Sequence, residues 1–317
     1  MTDPLIVVPL AADCEELRRD LITRELPPVA ALEPAEARRL SREGNLAVAA
    51  AWQPPLDTLP VDVSDLPEVD GAGALAPMRR YVPRSDPRPA TTLVWLHGGG
   101  WVLGDLDTTD AAARMACALT GFEVISVDYR CAPASRFPAA AQDVLAAVEW
   151  VLCARDRVVV GGDSAGGNLA GMVAQQRGEH PHLVGQVLVY PCTDPSLGSA
   201  SAQSFVDGPF LSRSDMEWFY DQYLRDEADF TDPLVDLAGA ASAAKLPAVP
   251  AVVLTVGHDP LRDEGIAYAR LLARQDQQVT WIHAPELFHG AFTQSGILPS
   301  AALRVGEVWS AAERLFS

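Results

Sequence analysis

The sequence predicts an α/β fold in which a mostly parallel sheet is covered by helices on both faces. Short apolar, β-branched segments alternate with helix-like segments from about residue 78 onward, and this alternation is typical of parallel sheets with helical crossovers. A chain of 317 residues with 49% hydrophobic residues also has enough apolar surface for a large core. We therefore expect one main domain built around one sheet.

Seven segments are predicted to be strands, and helical segments lie between them. The predicted strands are 78–82, 91–96, 123–128, 157–161, 186–190, 251–256 and 278–283. The predicted helices among them are 107–119, 139–154, 169–176 and 264–274. Two further helical segments, 14–26 and 34–51, precede the sheet, and an aromatic-rich insertion at 196–224 falls between strands.

A candidate nucleophile lies at Gly162-Asp163-Ser164-Ala165-Gly166, which follows the β-branched run 158–160 and leads into a helix-like segment. A serine at such a strand-to-helix turn is held in a strained conformation that exposes its Oγ above the sheet. Because Gly and Ser are common turn residues, the pattern alone does not exclude an ordinary glycine turn. Asp163 is interpreted as structural.

A glycine loop follows the predicted strand that ends at Leu96, with the sequence HGGGW at 97–101. Its N–H groups are unobstructed by side chains, as an oxyanion hole for acyl transfer requires. We predict that the donors are the N–H groups of Gly98, Gly99 and Ala165. A tight turn or a phosphate-binding loop is an alternative, but the phosphate loop lacks its Gly-Lys-Ser/Thr continuation.

Candidate acid and base residues follow the last two predicted strands. Asp259 comes after strand 251–256, and His289 comes after strand 278–283. This gives the chain order serine, acid, histidine. Ser164 would be the nucleophile and His289 its base, while Asp259 would fix the histidine tautomer and stabilise the imidazolium. Asp263 and Glu264 are rival acids, although the start of a helix favours carboxylates for structural reasons.

These stretches together resemble the bacterial hormone-sensitive-lipase family (family IV) of α/β-hydrolases. The similarity covers roughly residues 75–295 and includes the HGGG loop, the GDSAGG elbow at 162–167, the DPLRDEG acid loop at 259–265 and the histidine loop at 289–292. The chain departs from the family at 131–134, where Cys-Ala-Pro-Ala replaces Leu-Ala-Pro-Glu, and at Ala291, which separates Gly290 from Phe292. Both departures concern the pocket rather than the catalytic residues.

The resemblance implies a mostly parallel eight-stranded sheet flanked by helices, with a helical cap over the site. Residues 1–50 and 196–224 would form two cap segments on a catalytic domain of residues 51–317. His97 corresponds to a histidine that holds the glycine loop, and His258 is expected in a loop. An aromatic stripe at helical spacing is more often core than pocket, but some aromatic residues should line the substrate site. The candidates are Trp101, Phe205, Phe210, Trp218 and Phe292.

The leading functional interpretation is a serine carboxylesterase that cleaves short-acyl esters through an acyl-enzyme, with an acetyl ester of a specialised metabolite as one candidate substrate. An amidase, thioesterase or lactonase would use the same three residues. A non-catalytic small-molecule receptor on the same fold is a third option, but such receptors lack the base that His289 provides here. No metal and no cofactor is implied.

Composition narrows the partners and the location. The chain has 24 Lys and Arg against 42 Asp and Glu, a formal charge of −18, which disfavours nucleic acids and anionic membranes. We expect a small-molecule ester as partner, with a homodimer left open. The N-terminal segment lacks a positive region, and Pro9 interrupts its apolar run, so a cytoplasmic location is predicted. The cysteines lack metal-ligand spacing and are interpreted as reduced core residues; they are Cys14, Cys117, Cys131, Cys153 and Cys192.

Overall fold

The computed structural model describes residues 8–66, 75–84 and 89–317. Within them, eight strands form one sheet in the order β1-β2-β4-β3-β5-β6-β7-β8. The strands are β1 Val61–Asp65, β2 Met78–Pro83, β3 Thr92–Leu96, β4 Glu123–Val127, β5 Val158–Asp163, β6 Leu183–Val189, β7 Ala251–His258 and β8 Val279–Phe288. Strand β2 pairs antiparallel with β1 and β4, and the other pairs are parallel. The predicted mostly parallel eight-stranded sheet is confirmed.

Helices cover both faces of this sheet. They are α1 Ala12–Thr23, α2 Pro34–Ala50, α3 Asp110–Thr120, α4 Ala139–Ala154, α5 Ala165–Arg177, α6 Ala200–Ser204, α7 Arg213–Tyr223, α8 Leu237–Ala243, α9 Arg262–Arg274 and α10 Pro299–Phe316. Successive side chains of a strand point to opposite faces, so Val94 and Leu96 of β3 join the core under α4 and α5, whereas Leu93 and Trp95 join the core under α3 and α10.

The structure corrects several predicted boundaries. Strand β1 was not predicted, because at the sheet edge only Val61 among its five residues is buried. Strand β8 continues to Phe288, so the predicted loop before His289 is mostly strand. His258 is the last residue of β7 rather than a loop residue, and its Nε2 lies 2.9 Å from the carbonyl oxygen of Val8.

Two sequence-based expectations concern the chain as a whole. No helix in the described part of the chain is long and apolar enough to span a bilayer. The N-terminal residues 1–7, part of the segment from which a cytoplasmic location is predicted, lie outside the described residues. The five cysteines are free thiols, of which three are buried and Cys131 is half-buried. Cys153 is exposed, so the interpretation as core residues is wrong for that one.

An ionic cluster around the buried side chain of Glu123 lies at the end of the sheet remote from the predicted catalytic loops. Glu123 begins β4 beside Thr92 of β3. Its Oε2 accepts hydrogen bonds from Thr92 Oγ1 and from Arg155 Nε, both at 2.7 Å, and its Oε1 pairs with Arg80. Burial opposes ionisation of Glu123, but these hydrogen bonds outweigh it and lower its pKa to about 2. The ionised carboxylate therefore stabilises the fold.

Glu123→Gln should lower the free energy of unfolding by about 2 kcal/mol at pH 7, because hydrogen bonds to a charged group are lost. The folded-state pKa lies below that of an unfolded glutamate, so this stabilisation is present above about pH 4.3 and is lost as pH falls toward 2. Denaturant unfolding at several pH values measures both effects. The control is Glu16→Gln on an exposed position of α1; equal stability of the Glu123 variant and the wild type at pH 7 would contradict the argument.

Candidate active site

Ser164 lies at the turn between β5 and α5 with φ 55° and ψ −118°, a conformation that is strained for a residue with a side chain. Close packing of backbone holds the turn in place. A Cβ on Gly162 or on Gly166 would collide with the carbonyl oxygen of Leu96 in β3, and Ser164 N–H donates to the Val189 carbonyl of β6 at 2.9 Å. The elbow predicted from the sequence is therefore present.

The structure brings Ser164, His289 and Asp259 together in one chain of hydrogen bonds. His289 Nε2 lies 2.9 Å from Ser164 Oγ, and His289 Nδ1 lies 2.8 Å from Asp259 Oδ2. Asp259 is fully buried directly after β7, and its Oδ1 accepts the N–H of Leu261 at 2.8 Å. This second contact fixes the carboxylate, which in turn orients the imidazole.

The two rival acids bind backbone elsewhere. Asp263 Oδ2 accepts the N–H of Ser201 at the start of α6 at 2.8 Å. Glu264 Oε1 accepts the N–H of Thr193 after β6 at 2.7 Å, and burial raises the pKa of Glu264 well above its usual value. Both side chains anchor neighbouring loops, which is a more specific role than the helix-start electrostatics expected from the sequence.

The glycine loop differs from the prediction in one donor. Gly98 N–H donates to Asp163 Oδ1 at 3.1 Å, so a carboxylate already occupies this predicted oxyanion donor. The loop then turns through Gly99 and Gly100, whose φ angles are 109° and 60°. His97 is fully buried and stacks on Tyr129 at a centroid distance of 4.2 Å, and burial lowers its pKa. This environment suits a neutral histidine that supports the loop.

A cavity of about 230 Å³ opens at Ser164 Oγ. None of the five aromatic residues predicted to bind substrate is among the residues that line it. Two helices contribute lining side chains instead. They are α2, which precedes β1 and contributes Ser41 and Asn45, and α7, which lies between β6 and β7 and contributes Met216 and Phe219. Leu103, Leu211, Tyr190 and Gln294 also contribute.

The predicted aromatic residues pack against other rings. Trp101 is fully buried and stacks on Tyr223 at 4.5 Å between centroids. Phe210 stacks on Phe288 at 3.7 Å, and Phe292 packs 6.2 Å from Trp95. Phe205 faces His258 at 6.1 Å, and Trp218 packs edge-on against Phe219 at 5.2 Å. The aromatic residues therefore lie in segments that reach the cavity, but other side chains of those segments line it.

The pocket residues that sequence reasoning missed follow helical spacing. Met216 and Phe219 are three residues apart on α7, and Ser41 and Asn45 are four residues apart on α2, so each pair lies on one helix face. Trp218, one position from Phe219, is not among the residues that line the cavity. A helical projection of the two segments would have grouped these pairs, but only the fold shows which face meets Ser164.

Asp163→Asn should make stability less dependent on pH. Burial raises the pKa of Asp163 to about 6, above the value near 3.9 of an unfolded aspartate, so the wild-type fold loses stability as pH rises through this interval. Asn cannot ionise but keeps an acceptor for Gly98 N–H. Relative to wild type, the variant should gain about 3 kcal/mol in unfolding free energy between about pH 4 and pH 8.

Denaturant unfolding across this pH range measures the gain, with Asp57→Asn on the exposed surface as the control. A difference between wild type and Asp163→Asn that stays constant with pH would show that Asp163 is not the titrating group.

Comparisons with known proteins agree with this geometry. A family model described as the alpha/beta hydrolase fold matches residues 93–293. The carboxylic ester hydrolase LipN of Mycobacterium tuberculosis is 40% identical over 245 residues, which are 73% of this chain and 64% of LipN. An ethyl acetate hydrolase of Pseudomonas putida is 36% identical, with 86% of this chain and 88% of that protein covered.

Solved structures show the same relation. The ester hydrolase EH1AB1 from the metagenome of Lake Arreo, solved with a bipyridine phosphonate derivative, has a TM-score of 0.86 and 33% identity, with 96% of this chain and 98% of that chain covered. A thermostable esterase from Pseudomonas putida ECU1011 has a TM-score of 0.88 and 27% identity, with 100% and 99% covered.

The chain belongs to the α/β-hydrolase fold family. Within it, the relatives are bacterial ester hydrolases, so the predicted resemblance to the hormone-sensitive-lipase family is confirmed, and the reaction class is that of a carboxylesterase. The chain matches slightly less than two thirds of LipN's length. In the described residues, no group of three or more His, Cys, Asp or Glu side chains is placed to hold a metal ion.

Proposed function

We propose that the protein is a serine carboxylesterase that cleaves small, short-acyl esters through an acyl-enzyme on Ser164. The observation that supports this proposal most directly is the buried chain of hydrogen bonds from Asp259 through His289 to Ser164, at 2.8 and 2.9 Å. This chain of hydrogen bonds ends at Ser164 in the wall of the cavity, where a substrate carbonyl can reach Ser164 Oγ.

In the first half of the proposed reaction, Ser164 Oγ attacks the ester carbonyl carbon while His289 Nε2 takes the hydroxyl proton. The C–O bond to the alcohol then breaks, and His289 gives that proton to the leaving alkoxide oxygen. In the second half, a water molecule attacks the acyl carbon while His289 Nε2 takes one of the water protons. The bond between the acyl carbon and Ser164 Oγ then breaks, His289 gives the proton to Oγ, and the carboxylic acid leaves. Asp259 keeps Nδ1 protonated throughout, so that Nε2 faces serine as the base.

For the oxyanion hole we propose the N–H groups of Gly99, Gly100 and Ala165. The sequence predicts the Gly98 N–H as a donor and not that of Gly100, but the Gly98 N–H donates its hydrogen bond to Asp163. Ala165 is the first residue of α5, and the N–H groups of a helix N-terminus are free to bind a negative oxygen. Fixed donors of this kind stabilise the tetrahedral intermediate without reorganisation.

The cavity size supports a small substrate. A volume of about 230 Å³ lies below the usual range of drug-sized sites, and one relative is named an ethyl acetate hydrolase. We assign α2 and α7 to the two predicted cap segments, 1–50 and 196–224, because each contributes a pair of cavity-lining residues. Residues 1–7 of the first segment lie outside the described residues. The cytoplasmic location and a homodimer remain predictions.

Ser164→Ala should lower kcat for p-nitrophenyl acetate by about 10⁶, because the nucleophile is removed and only residual oxyanion stabilisation remains. Steady-state kinetics measures the loss, and the exposed Ser204→Ala on α6 serves as the control. A dialkyl p-nitrophenyl phosphate should add one phosphoryl group per wild-type chain, at Ser164. Labelling of a different serine, or near-normal turnover by Ser164→Ala, is the result that rejects this mechanism.

Asp259→Asn should lower kcat by about 10⁴, on the precedent of the serine-protease triad, because the amide favours the wrong imidazole tautomer. Asp263→Asn and Glu264→Gln are matched controls: they weaken loop anchors and should lower the unfolding free energy by about 1 to 3 kcal/mol with little change in kcat. Parallel kinetics and denaturation on the three variants separate the roles. The assignment is wrong if Asp263→Asn loses the most activity while Asp259→Asn turns over normally.

A further inference from the structure

The cavity at Ser164 is lined by two groups of side chains of opposite character, which we call the apolar wall and the polar wall. One wall is apolar and is formed by Leu103, Leu211, Met216 and Phe219. The other is polar and neutral, and its main side chains are Ser41, Asn45 and Gln294. An esterase that bound only alkyl esters would gain nothing from a polar wall, because polar groups that a substrate desolvates without hydrogen bonding cost free energy.

The polar wall has unused hydrogen-bonding capacity. Asn45 Nδ2 donates to the carbonyl oxygen and to Oγ of Ser41, at 2.9 and 3.3 Å. In the described part of the chain, Asn45 Oδ1, the Ser41 hydroxyl proton and the Gln294 carboxamide have no protein partner. By contrast, Thr108 and Thr293, which also line the cavity, donate to backbone carbonyls at 3.0 Å.

Helix α2, which carries Ser41 and Asn45, is fixed to the segment that follows the glycine loop. Arg38 Nε donates to the Val102 carbonyl at 2.8 Å. One turn further along, Arg42 pairs with Asp105 and lies 2.6 Å from Asp107 Oδ2. The two arginines therefore hold the polar face of α2 against the same loop that flanks Ser164, and the wall is preorganised for binding.

Charge limits the chemistry of the ligand. The acidic and basic side chains that line the cavity are Asp163 and His289, and they bind Gly98 N–H and the Ser164–Asp259 pair respectively. Among the residues that the structure describes, no lysine or arginine lines the cavity, so an anionic group would find no countercharge from them. Carboxamides and a hydroxyl can each donate and accept hydrogen bonds, which matches neutral hydroxyl groups.

We propose that the natural substrates are short-acyl esters whose alcohol portion carries free hydroxyl groups, such as partly acetylated polyols. The acyl methyl group lies against the apolar wall, and the hydroxyl groups bind Ser41, Asn45 and Gln294. This inference rests on the proposed esterase function and defines its substrate class.

The test compares two acetates of the same shape, glycerol 1-acetate and 2-methylbutyl acetate, in which methyl groups replace the two hydroxyl groups. The wild type should favour glycerol 1-acetate in kcat/KM, and Asn45→Leu and Gln294→Met should each lower this preference about tenfold, mainly through KM. Gln203→Met on the exposed face of α6 is the matched control and should leave the preference unchanged. Ser41→Ala, a smaller change, replaces Asn45→Leu if that variant does not fold.

Wild-type hydrolysis of p-nitrophenyl acetate separates the two levels of the proposal. If it is hydrolysed but the two acetates have equal kcat/KM, or if the preference is the same in all variants, the polyol assignment is overturned and the esterase function stands. If none of the three esters is hydrolysed, the esterase function itself fails, and the polyol assignment fails with it.

Discussion

The site depends on the parallel register of β5, β6, β7 and β8, because its three central side chains come from separate strand ends. Ser164 follows β5, Asp259 follows β7 and His289 follows β8. Their hydrogen bonds of 2.8 and 2.9 Å form only if these strands end at the same edge of the sheet. A slip of one residue in a strand would turn every side chain of that strand to the other face of the sheet. Because both faces pack against apolar cores, such a slip is unfavourable, and the cores therefore also fix the positions of the three site residues.

Backbone packing at the elbow restricts which residues the sequence can have there. The strand β3 passes so close to the turn that Gly162 and Gly166 have no room for a Cβ beside the Leu96 carbonyl. This contact explains why the Gly-x-Ser-x-Gly pattern was so informative: its glycines are required by a crossing of backbones, and the strained serine is their consequence. The adjacent Asp163 links the elbow to the glycine loop through Gly98, which joins nucleophile and oxyanion donors in one unit.

The sequence predicted what local constraints determine and missed what rotation about a helix or position in the sheet determines. Ser164, Asp259 and His289 each follow a strongly apolar strand, so their positions were readable, and the structure places them together. Strand β1 has one buried residue in five and gave no such signal. Trp101 and Phe292 were expected in the pocket because they adjoin catalytic loops, yet both are buried against aromatic residues. Nothing local distinguishes a ring that faces the core from one that faces a cavity.

The ionisation of the buried carboxyl groups around the site affects how well the site can stabilise an oxyanion. Asp259, Asp163 and Glu264 are all buried, and three ionised carboxylates so close to an oxyanion would oppose its formation. Burial raises the pKa of Glu264 well above its usual value, which favours its neutral form, but raises the pKa of Asp163 only to about 6, so that Asp163 ionises as pH rises through that value. The carboxylate of Asp259 accepts the His289 proton donor directly. The carboxylate that faces His289 thus stabilises the imidazolium, while the neutral form of Glu264 keeps one further negative charge away from the oxyanion.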